Sequence, residues 1–313
     1  MTEDGKWERE LIEKLATAAL KEQQRARRWG IFWKLLGFAY LTALLLVAMD
    51  FRWTKEPKAD RHTAMIEISG LIAPGTDASA EKVTMALQAA FQDKNTAGVV
   101  LRINSPGGTP VQAQTIYDEI RRLRAKYPAI PLYAVVEDLC ASGGYYVASA
   151  ADRIYVARSS ILGSIGVRMD GFGLTGLMEK LGIERRLLTA GENKAMLDPF
   201  LPLEESHRKI ALGLLADIHQ QFISAVREGR GERLKETPDM FTGMIWTGTR
   251  AIELGVADAL GSLDYVAREI VKAEDIVDFT QKENLAEKFA RRFGLGVAEG
   301  LERLGVRNGL ALR

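Results

Sequence analysis

A predicted strand that runs into a glycine-rich turn is the feature that most constrains the fold of this chain. Residues 131–136 are an apolar run typical of a buried parallel strand. Residues 139–152 follow as Leu-Cys-Ala-Ser-Gly-Gly-Tyr-Tyr-Val-Ala-Ser-Ala-Ala-Asp, with helical spacing after the glycines. A helix that starts at such a turn exposes N–H groups that can stabilise negative charge. Ser142 is then either a nucleophile, with the Gly143 N–H as half of an oxyanion hole, or an N-cap serine in a tight turn.

The region around this turn alternates between strand patterns and helix patterns. Strands are predicted at residues 64–72, 98–103, 131–136 and 153–156, and helices at residues 78–92, 111–123 and 203–228. Such alternation indicates an α/β domain with largely parallel strand pairing. The chain has 313 residues, of which 47% are hydrophobic, so it can bury a sizeable core.

A second glycine-rich loop, Asn-Ser-Pro-Gly-Gly at residues 104–108, joins the strand at 98–103 to the helix at 111–123. Its proline fixes one φ angle and its glycines permit conformations that other residues avoid, so several N–H groups can converge on a cleft. The carboxyl ends of parallel strands open on one edge of a sheet, and we therefore expect this loop to lie near Ser142. It would supply the second N–H of an oxyanion hole, and an ordinary strand-to-helix turn is the other interpretation.

A serine nucleophile needs a general base. The chain has three histidines: His62 falls in a predicted linker, whereas His207 and His219 fall in a long helix where we expect them to be solvated. The predicted apolar face of that helix is formed by Ile210, Leu214, Ile218 and Phe222. A Ser–His–Asp triad therefore has little support. A lysine in an apolar or cationic setting can take the role. Lys194 follows a strand-like stretch at 185–189 and is a candidate, although composition alone favours a solvated surface lysine.

Residues 30–49 form an apolar run with one charge, Lys34, and are long enough to cross a hydrocarbon core of ~30 Å. Trp33 and Trp53 flank it, as interfacial aromatic residues do. The run is longer than the apolar part of a signal peptide and no Ala-x-Ala site follows it. A buried helix would not be apolar on every face. We therefore predict a membrane anchor.

The segments around this anchor are polar. We expect a helical or disordered tail at residues 1–29, a linker at 50–62, the globular domain at 63–273 and an amphipathic tail at 274–313. Basic residues lie on both sides of the anchor, at Lys21, Arg25, Arg27, Arg28 and Lys34 and at Arg52, Lys55, Lys58 and Arg61. Their distribution favours an inside N-terminus and an outside domain. The C-terminal tail carries one apolar stripe, formed by Leu285, Phe289, Phe293 and Leu295.

Charge and cysteine content exclude several classes of function. The net charge is +1, which gives no indication of a nucleic-acid partner. The single cysteine, Cys140, excludes an intramolecular disulfide, and we expect it to be a small buried residue rather than a second nucleophile. No Cys/His cluster has metal-ligand spacing, so no metal or other cofactor is expected.

Five motifs occur in order along the chain. They are Ile-Asn-Ser-Pro-Gly-Gly at 103–108, Ala-Ser-Gly-Gly-Tyr-Tyr at 141–146, Gly-Ser-Ile-Gly-Val at 163–167, Gly-Glu-Asn-Lys at 191–194 and Trp-Thr-Gly-Thr-Arg-Ala-Ile-Glu-Leu-Gly-Val-Ala-Asp at 246–258. Together they resemble the motifs of the signal peptide peptidase A family of membrane-anchored serine proteases. The resemblance covers residues 63–273. It implies a Clp-protease/crotonase-like α/β fold of stacked ββα units, preceded by one transmembrane helix.

The resemblance also implies a role for each motif residue. Ser142 would be the nucleophile and Lys194 the general base. The oxyanion hole would be formed by Gly143 with Gly108, or less readily with its neighbour at 107. Ser164 would hydrogen-bond the lysine and orient it. Many relatives have Tyr before this lysine and Ser after it, whereas this chain has Asn and Ala there.

The motif set is present once, as in the short form of the family, whose subunits associate in a homo-oligomeric ring. In such rings the serine and the lysine of one site come from neighbouring subunits. The resemblance implies a bacterial inner-membrane protein with a cytoplasmic N-terminus and a periplasmic catalytic domain. It implies substrates such as cleaved signal peptides and other hydrophobic or unfolded segments.

Two other functions are open. A crotonase-like acyl-CoA enzyme would use the same pair of loops as an oxyanion hole, and a membrane scaffold would retain the fold without catalysis. The combination of Ser142 with Lys194 argues against both.

Overall fold

The computed structural model describes residues 3–48 and 61–281, with the side chains of residues 17–18, 20–44 and 61–281. The chain divides into two compact units. In the first, the described part is a single helix, α1 (Glu3–Ala48). The second unit, Pro57–Lys282, contains every described strand.

Helix α1 runs through both the predicted polar tail and most of the predicted anchor. Apolar side chains between residues 29 and 44 are exposed, among them Trp33, Phe38 and Leu41. Among the residues that the structure describes, no helix is both long enough and apolar enough to span a membrane. The predicted anchor at 30–49 continues past residue 44, where the described side chains of this unit end.

The structure describes eight strands, which form one sheet. They are β1 (His62–Ser69), β2 (Thr96–Ser105), β3 (Leu132–Ala141), β4 (Arg153–Val156), β5 (Ile161–Gly163), β6 (Ile245–Thr247), β7 (Ala259–Leu260) and β8 (Ile276–Asp278). The order is β6-β5-β3-β2-β1-β8, with β4 beside β3 and β7 beside β4. Each described pairing is parallel except that of β5 with β6. The predicted α/β class with parallel pairing is confirmed.

Helices follow the long strands, as the alternation predicts. They are α2 (Ala80–Gln92), α3 (Pro110–Lys126), α4 (Gly143–Ser149), α5 (Thr175–Leu181), α6 (Glu205–Arg230), α7 (Gly248–Glu253) and α8 (Leu263–Tyr265), with a 3₁₀ turn at Gly231–Arg233 and a π-helical turn at Val266–Val271. Helix α3 shows why the sequence forms these elements. Pro110 occupies its first turn, where a missing N–H costs nothing. Arg124 and Lys126 lie in the last turn, where positive charge interacts favourably with the negative end of the helix dipole.

The sheet has a core on each face because its central strands are apolar on both sides. In β2, Leu101 points into the main core under α2, α3 and α4, whereas Val100 points into a smaller core with Val135 and Tyr155. Burial on both faces is characteristic of a parallel sheet. It explains why this strand is a continuous apolar run rather than an alternating one.

Strand β3 changes partners along its length, and the change occurs shortly before Ser142. Residues 133–136 pair with β4, and residues 139–141 pair with β5. A separate parallel bridge joins Ile72, which follows β1, to Gly108, which follows β2. Each of the first three strands is thus followed by a short second pairing and then a helix. The last residues of β3 therefore extend beyond its pairing with β4 and lead to the start of α4.

Three sequence predictions differ from the structure. Residues 185–189 form no strand, and Leu188 is 96% exposed, because no described strand lies alongside to pair with them. On α6 the predicted apolar face is exposed in its N-terminal half, with Ile210 40% and Leu214 46% accessible, whereas Phe222 on the same face is buried. Strand β8 lies beyond 273, the predicted end of the domain, and pairs with β1. The amphipathic tail with its stripe at 285–295 lies outside the described residues.

Candidate active site

Ser142 stands at the corner between β3 and α4, in a backbone conformation that is rare for a residue with a side chain. Its φ is 52° and its ψ is −122°. Its N–H donates to Gly163 O at 2.9 Å, and its carbonyl accepts from Tyr146 N at 2.9 Å. Its side chain accepts no capping hydrogen bond from α4, so the N-cap interpretation is wrong for the hydroxyl. This strand–turn–helix corner has the geometry of a nucleophile elbow, which presents a serine Oγ at the sheet edge.

The two glycine-rich loops meet beside Ser142, as predicted. A Cβ atom on Gly107 would lie 2.5 Å from Gly143 N, and one on Gly143 would lie 3.1 Å from Gly108 N. Gly107 has φ 96°, which a residue with a side chain adopts only at a cost. Glycine is therefore required at this contact for steric reasons.

The hydrogen bonds distinguish the two candidate N–H groups of the first loop. Gly107 N donates to Ser105 Oγ at 3.0 Å, and that hydroxyl donates to Gly70 O at 2.6 Å. Within the described residues, the N–H groups of Gly108 and Gly143 donate to no acceptor. Gly108 and Gly143 are therefore the pair that can bind an oxyanion, and Gly107 instead braces the loop.

A cleft of about 760 Å³ opens over Ser142. The loops contribute Gly108 and Gly143 to its wall, and Ser164 also lines it. Its other lining residues are mostly apolar or small and include Leu71, Pro106, Pro110, Ala113, Tyr146, Val167, Ile218 and Phe222. The rings of Tyr146 and Phe222 stack at 4.8 Å, and burial raises the pKa of the Tyr146 phenol. The cleft is also lined by the charged residues Arg168 and Asp170, so it has an apolar part around Tyr146 and Phe222 and a polar part.

Cys140 lies two residues before the serine and is fully buried in the core. Burial raises the pKa of its thiol, so the sulfur stays protonated at neutral pH. The prediction that it is a small buried residue and not a second nucleophile is confirmed.

Lys194 is exposed in an irregular loop, where its N–H donates to Gly191 O at 3.1 Å. It is not among the residues that line the Ser142 cleft. The adjacent Glu192 and Ala195 line a separate cavity of about 750 Å³. Within one chain, the structure therefore brings together four of the five predicted site residues, and Lys194 stands apart from them.

The three histidines differ from the sequence prediction. His62 is the first residue of β1 and is buried, not part of a linker. His207 is also buried, at 9% exposure, and His219 is half-buried with Nε2 3.2 Å from Ile165 O. The expectation that the two α6 histidines are solvated is wrong. Neither of them lines the Ser142 cleft.

Sequence reasoning missed the contributions of α6 and of the loop before β6. Ile218, Gln221 and Phe222 reach the cleft from the helix, and Thr242 and Gly243 reach it from the loop. These residues follow Ser142 by 76 or more positions, and only tertiary contacts bring them to it: the packing of α6 on α4 for the helix, and the pairing of β6 with β5 for the loop. The aromatic Phe222 at helical spacing was the one available signal, and it indicated core packing equally well.

Comparison with known proteins gives two matching families. The model of peptidase family S49 matches residues 124–277, and the Clp protease model matches residues 62–162. The two matches overlap across β3, Ser142 and α4. The domain is accordingly Clp-protease-like.

Curated relatives extend the match. A Synechocystis protein named "Putative protease slr0021" is 33% identical over 67% of this chain and 73% of its own length. An Enterococcus faecium protein named "Putative signal peptide peptidase SppA" is 30% identical over 60% of this chain and 54% of its length. A Brucella melitensis protein named Na(+)/H(+) antiporter NhaA is 46% identical over 56% of this chain, but the match spans 24% of that protein. The chain therefore belongs to peptidase family S49, in agreement with its resemblance to signal peptide peptidase A.

Proposed function

We propose that this protein is a membrane-anchored serine endopeptidase with a Ser–Lys dyad. The observation that carries the proposal is the corner at Ser142, where a partly exposed hydroxyl lies beside two convergent N–H groups without acceptors in the described chain. Membership of a peptidase family supports the same chemistry.

In the proposed reaction, Ser142 Oγ attacks the scissile carbonyl carbon while Lys194 Nζ accepts the hydroxyl proton. The N–H groups of Gly108 and Gly143 bind the oxyanion of the tetrahedral intermediate. Collapse of the intermediate expels the amine, which takes the proton back from the lysine and leaves an acyl-enzyme. Water, deprotonated by the same lysine, then hydrolyses the ester and restores the serine. Ser164 would orient the lysine during these transfers.

A lysine acts as a general base only where its surroundings favour the neutral amine. Lys194 is exposed in the single chain and outside the cleft of its own Ser142. We therefore propose a homo-oligomeric ring in which the lysine of one subunit completes the serine site of its neighbour. The exposed apolar residues of the surrounding segment, such as Phe172 and Leu203, suit burial against another subunit.

The proposed substrates are cleaved signal peptides and other hydrophobic or unfolded segments. The apolar lining of the cleft, including Leu71, Tyr146 and Phe222, fits a hydrophobic side chain next to the scissile bond. We further propose that residues 30–49 anchor the chain in a bacterial inner membrane, with the N-terminus cytoplasmic and the catalytic domain periplasmic. The exposed apolar residues on several faces of α1 support an anchor.

The test is labelling of the purified full-length protein with a fluorophosphonate probe, together with turnover of a fluorogenic apolar peptide. We expect the label on Ser142, located by peptide mass spectrometry, and loss of both label and turnover in Lys194→Ala. Lys209→Ala is the matched control, because this exposed lysine lies on α6. Wild-type turnover in Ser142→Ala would refute the mechanism, and an unlabelled protein without turnover would favour a scaffold.

A further inference from the structure

Among the described residues, His219 forms the one side-chain hydrogen bond between α6 and the main chain of residues 163–167, the segment that carries Ser164. Its Nε2 lies 3.2 Å from Ile165 O. A carbonyl oxygen only accepts hydrogen bonds, so this nitrogen must carry the proton, in the Nε2–H tautomer or in the protonated ring. Ile165 is fully buried, and within the described residues its carbonyl accepts no backbone hydrogen bond. Without His219 a buried acceptor would be left unpaired.

The segment held in this way is strained. Gly163 has φ 112° and Ser164 has φ 53°, the latter being unfavourable for a residue with a Cβ atom. Strain of this kind persists only where the surroundings fix the chain. Ser164 N donates to Met244 O at 2.6 Å, and Gly163 O accepts from Ser142 N at 2.9 Å. The bond from His219 is the next restraint along the chain.

The same contact joins two walls of the cleft. Ile218 and Phe222 line it from α6, on either side of His219 in sequence, and Ser164 and Val167 line it from the segment. His219 itself does not line the cleft, so it does not reach a substrate bound there. It lies outside the lining of the cleft, and its hydrogen bond to Ile165 O fixes the distance between α6 and the Ser164 segment.

We infer that His219 is a positioning residue for the proposed peptidase reaction: through Ile165 O it fixes Ser164, and with it the wall facing Ser142. This inference rests on the proposed function. Loss of the donor would let the segment relax and displace Ser164 from the lysine it orients. Displacements of ~1 Å at a catalytic group lower rates by about 100-fold, so we expect kcat to fall by about 10- to 100-fold.

The experiment compares His219→Phe, which keeps a ring but has no donor, with His219→Gln, whose amide N–H can replace the bond. Gln220→Ala, at an exposed position on the same helix, is the control. We expect His219→Phe to remain folded, with a melting temperature lowered by a few degrees because Ile165 O loses its donor, and to lose kcat on the apolar peptide; His219→Gln should recover most of both. Wild-type kcat in His219→Phe, or equal loss in both variants, would overturn the inference.

A second measurement does not depend on turnover. Side-chain ¹⁵N NMR of the histidines in full-length Ser142→Ala, above the range where imidazole is protonated, should show the Nε2–H tautomer for a resonance that is absent from His219→Phe. An Nδ1–H tautomer for that resonance would overturn the inference even if the protein is active. Lack of Ser142-dependent turnover in the wild type would instead refute the proposed function and leave the hydrogen bond to be judged by NMR.

Discussion

At the scale of single residues, the site depends on backbone conformations that only particular neighbours permit. Ser142 has φ 52°, which costs about 1–3 kcal/mol in a residue with a Cβ atom. The bonds of its N–H to Gly163 O and of its carbonyl to Tyr146 N hold it there. The result is a hydroxyl that makes no capping hydrogen bond to α4.

Gly108 gives the sharpest prediction at this scale. A Cβ atom there would lie 1.9 Å from Ile72 O, so Gly108→Ala must move the loop that carries the N–H. Loss of one oxyanion donor typically lowers kcat by about 100- to 1,000-fold, and we expect a loss of that size. Peptide turnover measures it, and the melting temperature shows whether the variant is folded. A folded Gly108→Ala protein with wild-type kcat would exclude this N–H from the oxyanion hole.

At the scale of elements, the contact between α6 and α4 brings the second wall of the cleft to the nucleophile. Gly229 lets the end of α6 approach the end of α4 so closely that a Cβ atom on it would lie 2.0 Å from Ser149 O. Phe222, two turns earlier on the same helix, stacks on Tyr146. The glycine thus sets the distance at which α6 crosses the site.

Substitution of this glycine should therefore be costly. We expect Gly229→Ala to lower the free energy of unfolding by about 3 kcal/mol, since the added methyl group meets a backbone carbonyl. Gly213 lies on the same helix with nothing within 4 Å of an added Cβ atom. Gly213→Ala should leave stability unchanged or raise it by up to about 1 kcal/mol. Urea denaturation measures both, and equal stabilities of the two variants would contradict the close-packing argument.

A buried ion pair links Arg230, at the end of α6, to Asp258, which directly precedes β7. The Arg230 guanidinium, fully buried, donates to both oxygens of Asp258 at 2.8 and 2.9 Å and to Gly255 O at 2.9 Å. Asp258 also accepts from Ile154 N at 2.7 Å. Burial alone would raise the pKa of this carboxyl, but the bonds and charge of Arg230 outweigh burial and lower the pKa.

The lowered pKa sets the pH dependence of stability. A carboxyl with a lower pKa in the folded state stabilises the fold above its unfolded pKa of ~3.9, and this contribution is lost as pH falls through the folded pKa. We expect Asp258→Asn to cost about 3–5 kcal/mol at neutral pH, because Arg230 stays buried without its counter-charge. The variant should also lose less stability than the wild type between about pH 5 and pH 2. The free energy of unfolding of both proteins is measured by urea denaturation at each pH. An equal loss in the two proteins as pH falls would argue against this role of the pair.

At the scale of the whole molecule, the single chain has its proposed nucleophile and proposed oxyanion hole in one place and its proposed base in another. Lys194 lies in an exposed segment, and the apolar side chains of that segment include Phe172 at 84% and Leu203 at 62% exposure. Contiguous apolar surface of this kind is characteristic of interaction sites. Head-to-tail association would place one subunit's segment on the next subunit's cleft.

Mixing two inactive variants tests this arrangement. Ser142→Ala keeps the lysine and Lys194→Ala keeps the serine, so a mixed ring contains junctions where an intact serine meets an intact lysine. After dissociation and reassembly of an equal mixture, about a quarter of the junctions should be complete, and we expect about a quarter of wild-type turnover. Each variant treated alone is the control. No recovery from a mixture shown by native mass spectrometry to contain both subunits would mean that the dyad lies within one chain.

The sequence by itself determined the alternation of strands and helices from β1 to β4, the corner at Ser142 and the meeting of the two glycine loops. These features depend on local properties. Apolar runs and helical periodicity can be recognised within a short stretch of sequence. Parallel strands place their carboxyl ends on one edge of the sheet, whatever the rest of the fold.

Only the tertiary structure decided which face of α6 is buried, that His219 bonds the Ser164 segment and that residues 185–189 form no strand. Each of these outcomes depends on contacts between residues far apart in sequence. The apolar stripe with Ile210 and Leu214 has the periodicity of a core face, yet only its C-terminal end packs against α4, where Phe222 stacks on Tyr146 and Gly229 permits a close approach. A strand-like stretch likewise needs a partner strand beside it, and the position of such a partner is a property of the fold rather than of the stretch.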